Sequence, residues 1–336
     1  MLVSSSSPDS ASRAAIRLLM DWLPGASAVE GSSEIDLAQR ADQPQLISAE
    51  IVEGSALRAI TVPGVTRAMV SGFGAFLDGT QKVRMIGRHF GVPLVLGTTS
   101  AAIRVRVNRR LVTWGEKPPK VEKKLYLPLR YLPSPTGALT IGAQRKYGQF
   151  DVVDTSIPDA SGAYPSEHPT VLLERAIRAV DRQRDAIEDE LAEAWCASAA
   201  GPVFIDGGIS RSGRVASSVN AIGVIKSHFT LYVEGEALRT VVGLAKGERS
   251  SVFKVAPRSR ADVMSWYLRL REPEGHDAFF GLVRIEMSVC ENPSERADEI
   301  SRWVLAESSP LALPDGRWDK MSYGIRNVEE FLRAIS

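Results

Sequence analysis

The 336-residue sequence has little cysteine: Cys196 and Cys290 are the only two. They are too few for a disulfide framework and are not spaced as metal ligands, which points to a reducing compartment. No apolar run approaches the roughly 20 residues that cross a bilayer. The serine-rich amino terminus also has no basic stretch leading into an apolar core. The expectation is a soluble, cytoplasmic protein with no membrane contact. Missing too are the Gly-x-x-x-x-Gly-Lys-Ser/Thr loop, the Gly-x-Ser-x-Gly elbow, Cys-x-x-Cys and His-Glu-x-x-His. Their absence sets aside a P-loop ATPase and the serine-hydrolase, thiol-redox and zincin chemistries those motifs carry.

What remains is ordinary globular composition, 44% hydrophobic and 24% charged, enough to bury a core. The net charge of +1 conceals an uneven distribution. Gly79 to Phe150 holds 14 lysines and arginines against Glu116 and Glu122. Such a segment calls for an anion, and a polyphosphate backbone is the most economical one, with a solvated face or an acidic protein as alternatives. Candidates for that contact are Arg84, Arg104, Arg106, Arg109, Arg110, Lys123 and Lys124, joined from a later loop by Arg211 and Arg214.

Two short stretches carry the chemistry. Ala75-Phe76-Leu77-Asp78-Gly79-Thr80 is an apolar run ending in a carboxylate and a glycine, and Val203-Phe204-Ile205-Asp206-Gly207-Gly208 repeats the pattern 128 residues later. Each reads as a buried strand delivering an Asp at its end. Side by side, the two carboxylates would form an oxygen site suited to Mg²⁺ or Mn²⁺. The plainer alternative is two strand-to-turn junctions, because Asp-Gly is also a common turn dipeptide.

The chain divides into an N-terminal extension, residues 1–45, and a main domain, residues 46–336, with a basic, Pro- and Gly-rich insertion over about 115–165. The extension is expected to be partly disordered, with an amphipathic helix over Ser12 to Leu23. A meander of antiparallel strands follows Asp78, with a turn at Asn108-Arg109-Arg110. A long helix starts at His168-Pro169-Thr170 with a stripe of Leu173, Ile177, Val180, Ile187, Leu191 and Ala194. Glu190 borders that stripe, with Glu174, Glu188 and Asp189 as competing acids. Beyond the second Asp strand, Asn220 to Lys226 reads as a strand ending in Lys226, a candidate phosphate contact or ion-pair partner. Arg258 to Leu270 reads as a helix, Ala278 to Ser288 as a strand, and Ser294 to Leu305 and Tyr323 to Arg333 as helices. This order suits an α/β fold, an RNase H-like mixed sheet flanked by helices, in which acids on helices complete strand-borne carboxylates.

These residues resemble the NurA nuclease family. Phe76-Leu77-Asp78-Gly79-Thr80 and Phe204-Ile205-Asp206-Gly207-Gly208 are similar to its two Asp-Gly motifs, Glu190 stands on the helix before the second, and Gly223-Val224-Ile225-Lys226 follows it. Arg317-Trp318-Asp319-Lys320 through Tyr323 is similar to the family's closing Tyr-Pro segment, although Gly324 replaces the proline. No family-type histidine stands on the last helix. The equivalent region is Glu329-Glu330-Phe331, where Glu330 is the candidate substitute ligand, the alternative being a weakened site. The resemblance implies a dimeric, Mn²⁺-dependent (or Mg²⁺-dependent) DNA nuclease acting with a HerA-type hexameric ATPase in repair or antiphage defence. In it Asp78, Asp206 and Glu190 would hold metal, while Lys226 and the arginines hold the backbone. The competing expectation is a catalytically silent subunit that binds nucleic acid or docks the ATPase.

Overall fold

The computed structural model describes residues 10–23, 25–28, 45–47, 49–66, 69–108, 110–115, 119–133, 146–256, 260–273, 276–308 and 320–336. Helix α1 (Ser10–Trp22) is followed by short strands β1 (Ala26–Ala28), β2 (Gln45–Leu46), β3 (Glu50–Ile51) and β4 (Ala59–Thr61). Two long strands, β5 (Ala75–His89) and β6 (Val92–Val107), then form a hairpin whose turn holds Phe90 and Gly91 at positive φ. That geometry matches the twist of the flanking strands. Next come β7 (Arg110–Thr113), β8 (Lys120–Leu127), β9 (Lys146–Tyr147), β10 (Phe150–Asp154) and the 30-residue helix α2 (Pro169–Ser198). Proline at the start and a His168 ring nitrogen accepting from the Thr170 amide define its N-terminus.

The second half runs β11 (Val203–Asp206), α3 (Gly213–Ala216), β12 (Ala221–Ile225), β13 (Thr230–Leu231), α4 (Gly235–Val242), β14 (Glu248–Ser250), β15 (Phe253–Val255), β16 (Val263–Arg269), β17 (Leu282–Met287), α5 (Pro293–Glu307) and α6 (Tyr323–Ile335). One mixed sheet contains nearly all of these strands, in the order β3-β15-β16-β17-β12-β11-β5-β6-β8-β10-β9. At its centre β8, β6 and β5 are antiparallel neighbours, and β11 and β12 continue parallel to β5. β11 pairs with β5 over Ala75–Leu77, and β1 pairs with the same edge only from Gly87 onward. Among the described residues, no strand covers that edge of β5 between the two.

Strand alternation divides the core between two faces. Phe76, Phe204, Val224, Trp266 and Ile285 pack against α5 and α6 through Ile300, Val304, Ile325 and Val328. Leu77, Val203 and Ile205 face the other way with Ala192 and Trp195 of α2. Helix α1 places Ala15, Leu19 and Leu23 over the far end of the hairpin, against Ile86, Leu94, Leu96 and Leu125.

Three expectations change. Over its described residues, 260–270, the expected helix Arg258 to Leu270 is a strand: all seven residues of β16 are buried, and a strand covered on both faces shows an unbroken apolar run that periodicity cannot tell from a buried helix. The insertion at 115–165 is, where described, more sheet, with β10 running parallel to β8. The strand bearing Asp78 does not end there. β5 continues to His89, and what ends beside Asp78 is the neighbouring β11.

Candidate metal centre

The parallel register of β5 and β11 aligns Ala75, Phe76 and Leu77 with Val203, Phe204 and Ile205, so the next residue of each strand is an aspartate. Asp78 and Asp206 therefore emerge side by side on the face of Phe76 and Phe204, the face covered by α6. Glu329 comes down from α6 to meet them. One carboxylate oxygen from each of Asp78, Asp206 and Glu329 lies within 4.8 Å of the other two. All donors are hard oxygens, the set preferred by Mg²⁺ and Mn²⁺. Asp78 is only 7% exposed. Burial, together with the neighbouring Asp206 carboxylate, pushes its pKa well above the ordinary carboxylate range, against the pull of Lys226. A carboxyl group destabilised in this way fits a bound cation, which would remove the repulsion.

Lys226, at the end of β12, donates from Nζ to Asp206 Oδ2 at 2.7 Å. Burial alone would lower its pKa, but the carboxylates of Asp206 and Asp78 outweigh that effect and hold it above its usual value. Behind Asp206 the turn is fixed by Glu286, which accepts from the Ile209 amide at 2.8 Å and pairs with Arg284 at 2.7 Å.

Helix α6 is placed by close packing at one end and hydrogen bonds at the other. A Cβ at Gly324 would collide with the Phe76 ring, so the first turn of the helix lies directly on that ring. At the far end Ser336 Oγ is 2.7 Å from Ser100 Oγ, which is 3.0 Å from Thr80 Oγ1. Between these anchors Glu329 faces the aspartates. A proline ring at 324 would meet the same obstacle.

Two expected ligands lie elsewhere. Glu190 points into solvent and pairs with Lys120 at 2.9 Å. Glu330 is likewise exposed and pairs with Arg326 at 2.8 Å. The acid of α2 that reaches the centre of the sheet is Glu188, on the opposite face to Asp78. It fills the space a Cβ on Gly79 would take, and it lies 3.2 Å from both Arg184 and Arg211. Burial pushes its pKa up to about 7 despite those two guanidiniums.

Most of the basic residues assigned to an anion are engaged within the chain. Arg104 donates to Thr113 Oγ1 and the Leu111 carbonyl, with its guanidinium 4.4 Å from the centre of the Phe331 ring. Arg106 makes a two-bonded pair with Glu307 at 2.8 and 2.9 Å. Arg211 is held by Asp189, Glu188 and Asp185, and Lys124 by Glu122 at 2.7 Å. Arg84 and Lys123, on β5 and β8, also interact with other groups. Arg110 and Arg214 are exposed. Arg109 lies outside the described residues, as do Arg317, Trp318 and Asp319. The same-face pair Arg104 and Arg106 is thus an internal brace and not an open phosphate grip.

Glu329 was accessible to sequence reasoning. Ile325, Val328 and Leu332 are the buried positions of α6. Residue 329 falls four after 325 and beside 328, on the inner face, whereas residue 330 falls off it.

Fold and site together define a mixed α/β protein with a three-carboxylate centre able to hold a metal ion. Neither any protein-family model nor any curated protein matches the chain.

Proposed function

We propose that this chain is a metal-dependent nuclease that hydrolyses phosphodiester bonds in DNA. The observation that carries the reading is the convergence of Asp78, Asp206 and Glu329, with Lys226 on Asp206, at the parallel junction of two strands. The strand run β8-β6-β5-β11-β12, three antiparallel strands and then two parallel to β5, supports an RNase H-like assignment. A bound Mn²⁺ or Mg²⁺ would supply Lewis acidity and a water of lowered pKa. Asp78, Asp206 and Glu329 would hold it. Lys226 orients Asp206 and presents an ammonium that a phosphate oxygen can share. Contacts of this kind position a backbone without reading bases.

The test is cleavage of linear single- and double-stranded DNA in Mn²⁺, Mg²⁺ or EDTA, with and without the HerA-type ATPase that the resemblance implies. We expect cleavage that requires metal and falls to background in Asp78→Ala, Asp206→Ala and Glu329→Gln. Glu190→Gln should cut at the wild-type rate. Equal cutting by wild type and the three site variants would overturn the assignment.

One observation favours a second reading. The Lys226 ammonium already neutralises Asp206, as a purely structural ion pair would. A DNA-binding subunit without catalysis would show salt-sensitive binding, no cutting in any metal, and no Mn²⁺ affinity lost in Asp78→Ala.

A further inference from the structure

A cavity opens at the N-terminus of α6, directly beside the carboxylate centre with which it shares Lys226 and Glu329. Lys226, Lys320, Arg326 and Arg333 stand in its wall against two carboxylates, Glu329 and Glu330. Glu330 is bridged by Arg326, and Glu329 is turned to the two aspartates with Arg333 at 3.3 Å. Ser322, at the N-cap position of this 13-residue helix, also lines the cavity. The residue is 5% exposed, yet among the described residues its Oγ has no hydrogen-bond partner and makes no capping bond to the helix.

A buried hydroxyl left without a partner costs stability. An N-cap serine that declines the helix amides is unusual, because those amides are its ordinary partners. Here the Ser322 hydroxyl and the Lys320 ammonium, which also donates to the Lys226 carbonyl at 3.2 Å, stand in the wall of one cavity together with Lys226, Arg326 and Arg333. Donors arriving from several sides suit a tetrahedral oxyanion better than a flat carboxylate.

We propose that this cavity takes a phosphate of the nucleotide strand adjacent to the one at the carboxylate centre. The inference rests on the nuclease reading and extends it with a second contact point on the same strand. Lys226 belongs to both sites and so sets their spacing. The substrate class is therefore a strand with at least two consecutive phosphates, not a lone phosphomonoester.

The test uses the full chain in EDTA, so that no metal contributes. Calorimetric titrations of the dinucleotide pTpT, of TpT and of inorganic phosphate are compared for wild type, Ser322→Ala and Lys320→Ala. Mn²⁺ affinity and thermal midpoint are measured on the same variants. We expect pTpT to bind wild type more tightly than TpT or inorganic phosphate. Its affinity should fall about fivefold in Ser322→Ala and about tenfold in Lys320→Ala. Mn²⁺ affinity should hold in both variants. The thermal midpoint of Ser322→Ala should stay level or rise, since the hydroxyl stabilises nothing in the free protein. Equal pTpT affinity in all three chains, or no saturable pTpT binding by wild type, would overturn the proposal. Tighter binding of inorganic phosphate than of pTpT would also overturn it, by making the cavity a site for the free ion. Failure of the metal-centre reading shows up separately, as Mn²⁺ affinity unchanged in Asp78→Ala.

Discussion

At Gly324 the absence of a side chain determines where Glu329 stands. Substitution by alanine would force the Phe76 ring or the helix to move, an overpacking that typically costs about 1–3 kcal/mol. Alanine's better helix propensity returns up to about 1 kcal/mol. We expect Gly324→Ala to be less stable than wild type in urea and to bind Mn²⁺ about tenfold more weakly, as displaced supporting residues do elsewhere. Adding Phe76→Leu should recover part of both losses, and a double-mutant cycle measures the coupling. His228 makes a different kind of prediction. Its ring bonds the Leu282 carbonyl and stacks on Phe279, and burial holds its pKa down at about 4 from 6.5. Between those values the unfolded chain binds a proton that the folded chain does not. Stability should therefore fall as pH drops from about 6.5 toward 4, by at most about 3 kcal/mol from this group. Urea titrations of wild type and His228→Gln across that window check the sign, and the variant should show the shallower slope.

The two helices that frame the centre differ in how openly the sequence displays them. In α6 the apolar phase is clean, and it separates Glu329 from Glu330. In α2 the expected stripe meets the buried line at Val180 and Ile187, while Leu173, Ile177, Leu191 and Ala194 lie one step off it; the line also runs through Leu172, Ala176, Ala179, Glu188, Ala192 and Trp195. Three alanines, Ala176, Ala179 and Ala192, share that line with Glu188, so hydrophobicity alone does not mark it, and Glu190 falls outside it. Ala176→Leu should cost about 1–3 kcal/mol by overpacking, whereas Ala194→Leu, at an exposed position, should stay within about 0.5 kcal/mol. Thermal denaturation of the two variants tests the corrected phase. The Asp motifs, the start of α2, β12 and α6 were legible because local periodicity and a proline or glycine marked them. β16 was not, because burial on both faces erases the alternation by which strands are recognised.

Over the whole molecule, charge proves less concentrated in space than along the chain. The basic run from Gly79 to Phe150 is met by acids from distant segments, Glu190 on Lys120 and Glu307 on Arg106. A count along the sequence cannot see such pairing, which is why an open basic face was expected where braces stand. Tertiary pairing of the same kind brings together the three carboxylates, each separated from the next by over a third of the chain. A cation at that point would find only Asp78 and Asp206 in a chain whose sheet has formed but whose last helix has not docked. It would act by mass action chiefly on the finished protein, and would contribute about 2.7 kcal/mol at a hundred times its dissociation constant. Mn²⁺ should accordingly raise the thermal midpoint of wild type and leave that of Glu329→Gln nearly unmoved, as scanning calorimetry would record. The ion would then serve as an inspector of assembly, rewarding complete chains and passing over those that stop one helix short.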